Sequence, residues 1–357
     1  MNRMAEYIHQ PMITYLGNKR KLVGWIMEIV TSLHPQRILD GFAGSGVVSR
    51  AFRTICSELH SNDKEHYSYI LLRCFLETPT AEQQVRIEQH VVHMEEWEQE
   101  GFVTRLYAPL DTNAPQANER CFYTHENAVK IDSMLAYIVS IEEDIRHYLL
   151  GPLLVKASIH VNTAGVFRGF YKKDGVGHFG GAGENALERI LAPIQWSMPI
   201  WCDHPCRVHC YESDLLTLVT GFPNDSLDLI YLDPPYNEHP YGSNYFMLNL
   251  IAKNEEPLTY SRVSGIPTEW NKSAFNGRGK ALDAMLELLR VCLVKAQYIL
   301  ISYNNEGLIT AEQWTDLVIK LGCQMKQYEK DYDTYHGSRN LAARNKKVIE
   351  RMYLLSR

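Results

Sequence analysis

The sequence predicts an α/β protein whose mainly parallel sheet is interrupted by a mostly helical insertion. A short apolar strand runs into a glycine loop and a helix at residues 37–47. A second apolar strand, residues 228–232, stops at the turn Asp233-Pro-Pro-Tyr236. Between the two, the alternation of strand and helix breaks near residue 79 and resumes near residue 206. We therefore predict one domain made of residues 1–78 and 206–357, with residues 79–205 inserted into it.

Composition and cysteine usage are typical of a protein of the reducing cytoplasm. The 357 residues are 45% apolar and 22% charged, and no run of 18 apolar residues predicts a membrane span. The eight cysteines are scattered, and residues 1–11 lack an apolar signal core. We predict a cytoplasmic location with no membrane association.

The charge is unevenly distributed along the chain. A net charge of −6 argues weakly against a nucleic-acid binder, but residues 325–351 carry seven Lys or Arg against four Asp or Glu. Smaller basic groups lie at residues 19–21, 168–173 and 272–280. A basic face on an acidic protein is one interpretation, and an ordinary solvated surface is the other.

The first 80 residues read as a βαβα unit. A helix is predicted from Leu22 to Leu33, a strand over residues 37–40, and a second strand over residues 58–63, followed by a helix over residues 67–76. The glycine loop between the first strand and the helix near Val47 has the spacing G-x-x-G-x-G, which lets a ligand approach the backbone. Asp40 would place a charge at the first strand end. Asp63, 23 residues later, stands where such folds bind a ribose diol.

The insertion ends in a glycine-rich stretch. Two helical segments are predicted around residues 82–100 and 126–150, and residues 165–183 then hold seven glycines among aromatic and basic side chains. A flexible backbone with these side chains suits a loop that enters a groove and contacts bases. The alternative is an ordinary long loop with a few buried rings.

After the insertion the sheet resumes with strands at residues 207–211, 228–232 and 298–304. Period-two patterns at residues 324–335 and 348–356 predict a terminal antiparallel pair joined by a basic loop. Cys202, Cys206 and Cys210, with His204 and His209, are spaced C-x3-C-x3-C, which matches neither a zinc pair nor a radical-enzyme triad, so we predict no metal.

Asp233-Pro-Pro-Tyr236 is the strongest candidate for chemistry. Two prolines remove two backbone donors and hold the chain extended, so the Asp233 carboxylate and nearby carbonyls form a rigid set of acceptors. Such a set suits a planar amine: accepting both N–H groups of adenine would concentrate electron density on nitrogen, while Tyr236 stacks on the ring. The alternative is a strand that ends in a common Pro-Pro turn.

In combination, Tyr15-Leu-Gly-Asn-Lys19, Asp40-Gly-Phe-Ala-Gly-Ser-Gly46, Asp63 and Asp233-Pro-Pro-Tyr236 resemble the alpha group of DNA N6-adenine methyltransferases. These are the Dam-like enzymes, many of which are partners of type II restriction endonucleases. The resemblance covers most of residues 13–75 and 207–357. The tail, residues 334–340, resembles the FokI-type methylases, which modify short asymmetric sites.

The resemblance implies a Rossmann-like class I fold that binds S-adenosylmethionine, with a seven-stranded mixed sheet and a reversed terminal hairpin. It implies that residues 79–205 form the target-recognition, DNA-binding region. It also implies a role for each matched residue: the catalytic set is Asp233, Pro234, Pro235 and Tyr236, and the cofactor set is Tyr15, Lys19, Asp40, Phe42, Gly44, Ser45, Gly46, Asp63 and Asp214. Within that set Lys19 would lie near the methionine carboxylate and Asp214 near the cofactor's adenine amine.

The predicted activity is transfer of a methyl group from S-adenosylmethionine to the N6 amine of an adenine flipped out of duplex DNA. The open alternatives are an N4-cytosine enzyme, an RNA or protein-glutamine methyltransferase, and a non-catalytic nucleic-acid-binding module. The predicted partners are double-stranded DNA and a restriction endonuclease that acts separately, and the chain is expected as a monomer or dimer. The predicted DNA-binding residues are Arg168, Tyr171, Lys172, Lys173, Arg339, Lys346 and Lys347.

Overall fold

A computed structural model describes residues 3–181, 183–333 and 347–357. The chain divides into two compact units. The sheet unit consists of Asn18–Tyr69, His204–Pro240 and Asn271–Arg357, and the helical unit consists of Met1–Gly17, Ile70–Asp203 and Tyr241–Trp270. The predicted insertion, residues 79–205, falls in the helical unit apart from its last two residues, and residues 1–17 and 241–270 belong to the same unit.

The described residues form helices and strands that alternate at both ends of the chain. The helices are α1 (Arg3–His9), α2 (Val23–Thr31), α3 (Val47–Phe52), α4 (His66–Leu76), α5 (Ala81–Glu96), α6 (Phe102–Tyr107), α7 (His125–Ser140), α8 (Glu143–Ile159), α9 (Leu187–Leu191), α10 (Leu215–Gly221), α11 (Tyr241–Asn244), α12 (Phe246–Lys253), α13 (Ala281–Lys295) and α14 (Ala311–Leu321). The strands are β1 (Arg37–Asp40), β2 (Glu58–Asp63), β3 (Lys172–Lys173), β4 (Val176–Gly177), β5 (Arg207–Glu212), β6 (Leu227–Leu232), β7 (Ala296–Asn304), β8 (Gln324–Asp333) and β9 (Lys347–Ser356).

The sheet unit is built on a seven-stranded mixed sheet in the order β5-β2-β1-β6-β7-β9-β8. The first five strands in this order are parallel, and β9 and β8 form the antiparallel end. Leu229 and Ile230 in the central strand β6 are fully buried, as expected of a parallel strand covered on both faces. The predicted mixed sheet with a reversed terminal hairpin is thus confirmed.

Helices cover the sheet and end at recognisable signals. Trp314 of α14 and Met285 of α13 pack into one apolar cluster with Ile230 of β6 and Ile299 of β7. Helix α14 begins with a capping box, in which the Thr310 side chain and Gln313 satisfy each other's backbone N–H groups, and it ends at Gly322 in the left-handed conformation. These caps fix the helix that precedes β8.

The helical unit has its own buried polar anchor. Asp132, within α7, accepts hydrogen bonds from the backbone N–H groups of Gly101 (2.8 Å), Val103 (3.1 Å) and Thr104 (2.7 Å). These are donors at the first turn of α6, which otherwise lack partners inside the helix. A single buried carboxylate therefore caps α6 and ties it to α7.

The main predicted elements are present, with two differences. The single helical segment predicted over residues 126–150 is two helices, α7 and α8, separated at residues 141–142. The glycine-rich stretch contains the hairpin β3–β4, whose two turn residues, Asp174 (φ 51°) and Gly175 (φ 85°), both have the positive φ of a type I′ turn. The basic loop predicted before the last strand lies outside the described residues. Among the described helices, none is both long and apolar enough to cross a membrane.

Candidate active site

Five acidic residues line one edge of the sheet. In spatial order they are Asp214 after β5, Asp63 at the end of β2, Asp40 at the end of β1, Asp233 after β6, and Glu350 on β9. Parallel strands bring their carboxyl ends to the same edge, which is where open α/β sheets bind ligands. Glu350 joins the row because it lies opposite Asn304, the last residue of β7. Four of these acids were candidates from the sequence, and Glu350 was not.

Asp233 forms an ion pair with Lys19. The distance from Lys19 Nζ to Asp233 Oδ1 is 3.0 Å, and the two side chains are 3% and 18% exposed. Burial raises the pKa of Asp233 to about 6 against the opposing effect of Lys19. Burial alone would lower the pKa of Lys19, but the attraction of Asp233, with smaller effects of Tyr236 and Glu350, raises it well above its usual value. Lys19 is therefore a permanent cation, and Asp233 is mostly ionised at neutral pH.

The turn after β6 presents acceptors and an aromatic ring. Pro234 is buried and Pro235 partly buried, and neither carries an N–H, so the hydrogen-bonding groups of this dipeptide are its carbonyl oxygens. The Lys19 Nζ atom lies 5.4 Å from the centroid of the Tyr236 ring. That ring also meets Tyr303 of β7 edge to face, with centroids 5.9 Å apart. Asp233, Pro234 and Tyr236 are thus held together around the ammonium group.

Glu350 adds a second carboxylate behind the ion pair. It is 4% exposed, and within the described part of the chain its Oε2 atom has no hydrogen-bond partner. Its negative charge contributes to raising the pKa of both Lys19 and Asp233. Burying a carboxylate without full hydrogen bonding costs free energy unless a nearby cation compensates its charge. Lys19 is such a cation, since it interacts electrostatically with Glu350.

Asp40 lies beneath the glycine loop. It is 1% exposed, its Oδ2 accepts a hydrogen bond from the Ser49 hydroxyl at 2.5 Å, and Ser49 Oγ lies 2.7 Å from Ser61 Oγ. Burial raises the pKa of Asp40 to about 7, with the Ser49 hydrogen bond opposing and the charges of Asp233 and Asp63 adding to it. The sequence predicts a charge at this strand end. With a pKa of about 7, the Asp40 carboxyl group is close to half protonated at neutral pH.

Asp63 shapes the glycine loop itself. Its carboxylate accepts hydrogen bonds from the backbone N–H of Gly44 (2.8 Å) and of Glu65 (2.9 Å), and the Ser68 hydroxyl donates to the Gly44 carbonyl oxygen. Gly44 (φ 54°) and Gly46 (φ 73°) are both in the left-handed region that glycine adopts without strain. Burial raises the pKa of Asp63, and the two backbone N–H groups oppose that rise.

The remaining cofactor candidates occupy three different environments. Asp214 caps α10, accepting from the N–H groups of Leu216 (3.2 Å) and Thr217 (3.4 Å), and its exposed side chain lies 3.6 Å from Lys64 Nζ. Phe42 meets Phe275 edge to face at 5.3 Å, and Ser45 is buried at the glycine loop. All three belong to the sheet unit.

Tyr15 is the one cofactor candidate in the helical unit. Its ring clusters with those of Tyr241 and Tyr245, whose centroids are each 5.0 Å from it and 5.9 Å from one another. The chain next to it is held too: the Leu16 N–H donates to the Tyr245 hydroxyl at 2.7 Å, and the Tyr241 hydroxyl donates to the Leu16 carbonyl oxygen at 3.1 Å. Its predicted contact with a cofactor stays a prediction.

The basic candidates of the insertion lie on the hairpin or just before it. Lys172 and Lys173 form β3 and are exposed, as is Arg168, and Lys172 Nζ lies 4.8 Å from the Phe170 ring. The ring of Tyr171, a predicted DNA contact, packs against the apolar cluster of Cys121, Phe179 and Ile190 next to Gly181, and its contact with DNA stays a prediction.

Three other basic candidates lie wholly or partly outside the described residues. Arg339 and Lys346 lie outside the described residues. Lys347 is the first residue of β9, and its side chain lies outside the described part.

Two buried asparagines that hold these loops in place were not predicted from the sequence. Asn62 Nδ2 donates to the carbonyl oxygens of Gly41 (3.1 Å) and Ser213 (3.2 Å), joining the loops after β1 and β5. Fully buried Asn162 does the same for the hairpin, donating to the carbonyl oxygens of Cys121 (2.8 Å) and His178 (3.0 Å). An asparagine carries no chemistry of its own, so only its position next to these loops could have indicated its role.

Comparison with known proteins agrees with this geometry. The profile of the family "D12 class N6 adenine-specific DNA methyltransferase" matches residues 15–298. The chain is 29% identical over 322 residues to the type II methyltransferase M.NlaIII of Neisseria lactamica, covering 87% of this chain and 89% of that protein. It is 29% identical over 326 residues, with the same coverage, to type II methyltransferase M.CviAII of Paramecium bursaria Chlorella virus 1.

A third relative bears on the predicted FokI-type likeness. The chain is 26% identical over 318 residues to the type II methyltransferase M.FokI of Planomicrobium okeanokoites, covering 84% of this chain and 45% of that protein. The family profile spans the glycine loop, the Lys19–Asp233 pair and the whole predicted insertion. The chain therefore belongs to the family of D12 class N6 adenine-specific DNA methyltransferases.

Proposed function

We propose that this protein uses S-adenosylmethionine to methylate the N6 amine of an adenine flipped out of a specific site in duplex DNA. The observation that carries the proposal is the buried Asp233 carboxylate, fixed by Lys19 at 3.0 Å and followed by two prolines that offer no competing donor. A stacked adenine cannot reach such a buried acceptor, so the base must leave the duplex.

The acidic edge of the sheet fits S-adenosylmethionine as methyl donor. The cofactor has a cationic sulfonium, two ribose hydroxyls and an adenine amine, and all of these seek acceptors or negative charge. Asp40 Oδ1 and Asn62 Oδ1 are buried atoms that have no hydrogen-bond partner among the described residues, and both belong to the glycine-loop network. When bound, the cofactor supplies a methyl group that its sulfonium activates toward attack.

Six of the predicted cofactor residues have the following roles in this proposal. Asp63 accepts from the ribose hydroxyls with the lone pairs that its two backbone hydrogen bonds leave. Gly44 and Gly46 let the ligand approach the loop, Phe42 packs beside it, and Asp214 accepts from the adenine amine. Lys19, predicted at the methionine carboxylate, instead acts mainly through Asp233, which is the group that its ammonium contacts.

The target adenine is held by the turn after β6. With Oδ1 engaged by Lys19, Asp233 accepts one amine N–H through Oδ2, and the carbonyl oxygen of Pro234 accepts the other. Tyr236 stacks on the base. Because both acceptors are fixed before the base arrives, little reorganisation accompanies the charge that develops on nitrogen during in-line attack. The reaction requires no covalent intermediate with the enzyme.

DNA contacts come from cations. Exposed candidates in the helical unit are Lys172 and Lys173 on the hairpin and Arg168 just before it. Arg339, Lys346 and Lys347 are candidates near the end of the chain. Tyr171 supports the hairpin from below. Since the named relatives are type II methyltransferases, we further propose that the methylation protects DNA from a separate restriction endonuclease of the same specificity.

Methyl transfer to duplex DNA tests the proposal directly. The purified chain is incubated with tritium-labelled S-adenosylmethionine and genomic DNA that lacks adenine methylation, and the DNA is digested to nucleosides. Label in N6-methyl-2′-deoxyadenosine supports the proposal, whereas label in N4-methyl-2′-deoxycytidine overturns it. Parallel incubations with RNA and with protein in place of DNA complete the test, because labelling of either one but not of DNA also overturns the proposal. Sequencing that maps methylated adenines then identifies the site and whether one or both strands are modified.

A further inference from the structure

Glu58, His60 and His209 form a cluster on the two outermost parallel strands of the sheet unit. His209 Nε2 lies 3.2 Å from Glu58 Oε1, and His60 Nε2 lies 3.7 Å from the same oxygen. The three candidate ligand atoms all lie within 4.8 Å of one another. The proposed transfer reaction makes no use of these residues.

Strand pairing explains why they meet. His60 of β2 and His209 of β5 are opposite each other in the parallel register, and Glu58 lies two residues before His60, on the same face of β2. The two imidazole rings stack, with centroids 4.7 Å apart and an angle of 11° between their planes. The cluster is therefore fixed by the register of β2 and β5.

The distances from Glu58 Oε1 to the two histidine nitrogens are close to those of a tetrahedral zinc site. Zinc bonds to histidine nitrogen and carboxylate oxygen of about 2.0–2.2 Å place neighbouring ligands roughly 3.3–3.6 Å apart. The two distances to Glu58 Oε1, 3.2 and 3.7 Å, bracket that range. Because the two rings are nearly parallel, their side-chain torsions must change on binding so that both nitrogen lone pairs point at one ion.

A further contact supports His60 as a ligand. Its other ring nitrogen, Nδ1, lies 2.9 Å from the Tyr211 hydroxyl. Histidine ligands commonly use the second nitrogen in this way, because donating that N–H fixes the ring and leaves Nε2 with its lone pair for the metal. Arg207, whose Nη1 lies 3.6 Å from Glu58 Oε1, is the cation that competes for the carboxylate.

We propose that Glu58, His60 and His209 bind one Zn²⁺ ion, with water as the fourth ligand, at a site separate from the methyl-transfer centre. The ion would join the edge strand β5 to β2. β2 ends in Asp63 and β5 leads to Asp214, both on the acidic edge, so the ion would brace the two strands that carry these carboxylates.

Zinc binding to the tag-free chain tests the proposal. Chelator-treated protein is dialysed against buffered Zn²⁺, bound metal is measured by atomic absorption, and thermal unfolding is followed with and without the ion. We expect one zinc per chain and a higher unfolding temperature with zinc. Tyr211→Phe should weaken zinc binding by about 10–100-fold, as for other residues that orient a histidine ligand.

Matched variants locate the ion. Zinc binding should be lost in His209→Ala and in Glu58→Gln, which keeps the size of the side chain. Zinc binding should be kept in His66→Ala. This histidine is close to the same pair of strands, with its Nδ1 2.7 Å from Glu212 at the end of β5. Zinc binding should also be kept in Cys206→Ser, which removes the thiol 3.7 Å from Cys56.

Other results overturn the site. No stoichiometric zinc in the wild-type chain would do so, as would unchanged binding in both His209→Ala and Glu58→Gln. Loss of zinc in Cys206→Ser alone would assign the ion to the two thiols. Cobalt substitution gives an independent check: a site of nitrogen and oxygen ligands lacks the thiolate-to-cobalt charge-transfer band that Cys56 and Cys206 would produce.

Discussion

The acidic edge of the sheet unit and the hairpin of the helical unit hold their charges in opposite ways. At the edge, Lys19 is buried and Asp233 partly buried, at 3% and 18% exposure, and the two are paired. On the hairpin, Lys172 and Lys173 are exposed, and the buried part is an apolar cluster that includes Phe179. The charges at the sheet edge are held by neighbouring charges, whereas those on the hairpin are exposed to solvent.

The difference separates two kinds of work. Buried charges cannot be compensated by water, so each depends on its neighbours and a change at one alters the pKa of another. Exposed charges are screened by salt and act almost independently, which suits contacts with a DNA backbone. Substitutions at the edge should therefore change rate and its pH dependence, whereas substitutions on the hairpin should change binding and its salt dependence.

The largest effect is expected for Asp233→Ala. Removal of the acceptor that faces the target amine should lower kcat by a factor on the order of 10²–10³ or more, while binding of S-adenosylmethionine stays nearly unchanged. Single-turnover methyl transfer and calorimetric cofactor binding measure the two. Asp316→Ala, at an exposed position on α14, is the control. Retention of a tenth of the wild-type rate would remove Asp233 from the catalytic role.

Lys19→Gln should come next, with a loss of roughly 10²-fold or less in kcat/KM. Lys19 opposes the rise in the pKa of Asp233, so its loss should raise that pKa above about 6. The ionised form is the acceptor, so the acid limb of kcat/KM should move to higher pH. Lys21→Gln, at an exposed neighbour, should leave the profile in place. If Lys19→Gln weakens only ligands with a methionine carboxylate and leaves the pH profile unmoved, Lys19 acts on the cofactor instead.

Arg168→Ala tests whether the segment that leads into the hairpin recognises DNA bases. If Arg168 contacts a base edge, its loss should cost about 1–3 kcal/mol of interaction free energy with the cognate site. The enzyme should also discriminate less well between bases at one position of that site. Binding to cognate and single-mismatch duplexes at two salt concentrations measures both. Equal losses on every duplex would exclude base recognition by Arg168 and leave it a phosphate contact.

A smaller, uniform effect is expected for the double variant Lys172→Ala/Lys173→Ala. Two lost phosphate contacts should reduce the slope of log K against log salt by about 1.8 and weaken cognate and random duplexes alike. Lys253→Ala, at an exposed lysine that ends α12 of the same unit, is the matched control. A loss confined to the cognate duplex would contradict the phosphate role.

The smallest effect is expected for Glu350→Gln. Its charge raises the pKa of Asp233, so removal should lower that pKa and move the acid limb of kcat/KM to lower pH, opposite to Lys19→Gln. The rate at the optimum should change little, because Glu350 is proposed to act only through its charge. Glu312→Gln, an exposed position on α14, is the control. A shift to higher pH would show that Glu350 does not face the ion pair.

Much of the fold could be predicted because local patterns record it. The strands over residues 37–40 and 58–63 were predicted with the bounds observed, since each ends at an aspartate and the glycine loop follows the first. The terminal antiparallel pair followed from period-two patterning. The split of residues 126–150 into α7 and α8 was missed, because helical periodicity continues across residues 141–142 while the chain there is extended.

The sequence by itself determined the family motifs, the order of strands and glycine loop, and the acids at four strand ends, because each of these depends on neighbours along the chain. The tertiary structure decided the contacts between distant residues. Lys19 and Asp233 are 214 positions apart, and Glu350 lies on a strand that runs the opposite way, so no local pattern relates the three. Likewise the glycine-rich stretch is a hairpin on an apolar cluster because Cys121, from a distant part of the chain, and Ile190 of α9 pack against it. Burial and pairing depend on what folds against a residue, and that information is distributed over the whole chain.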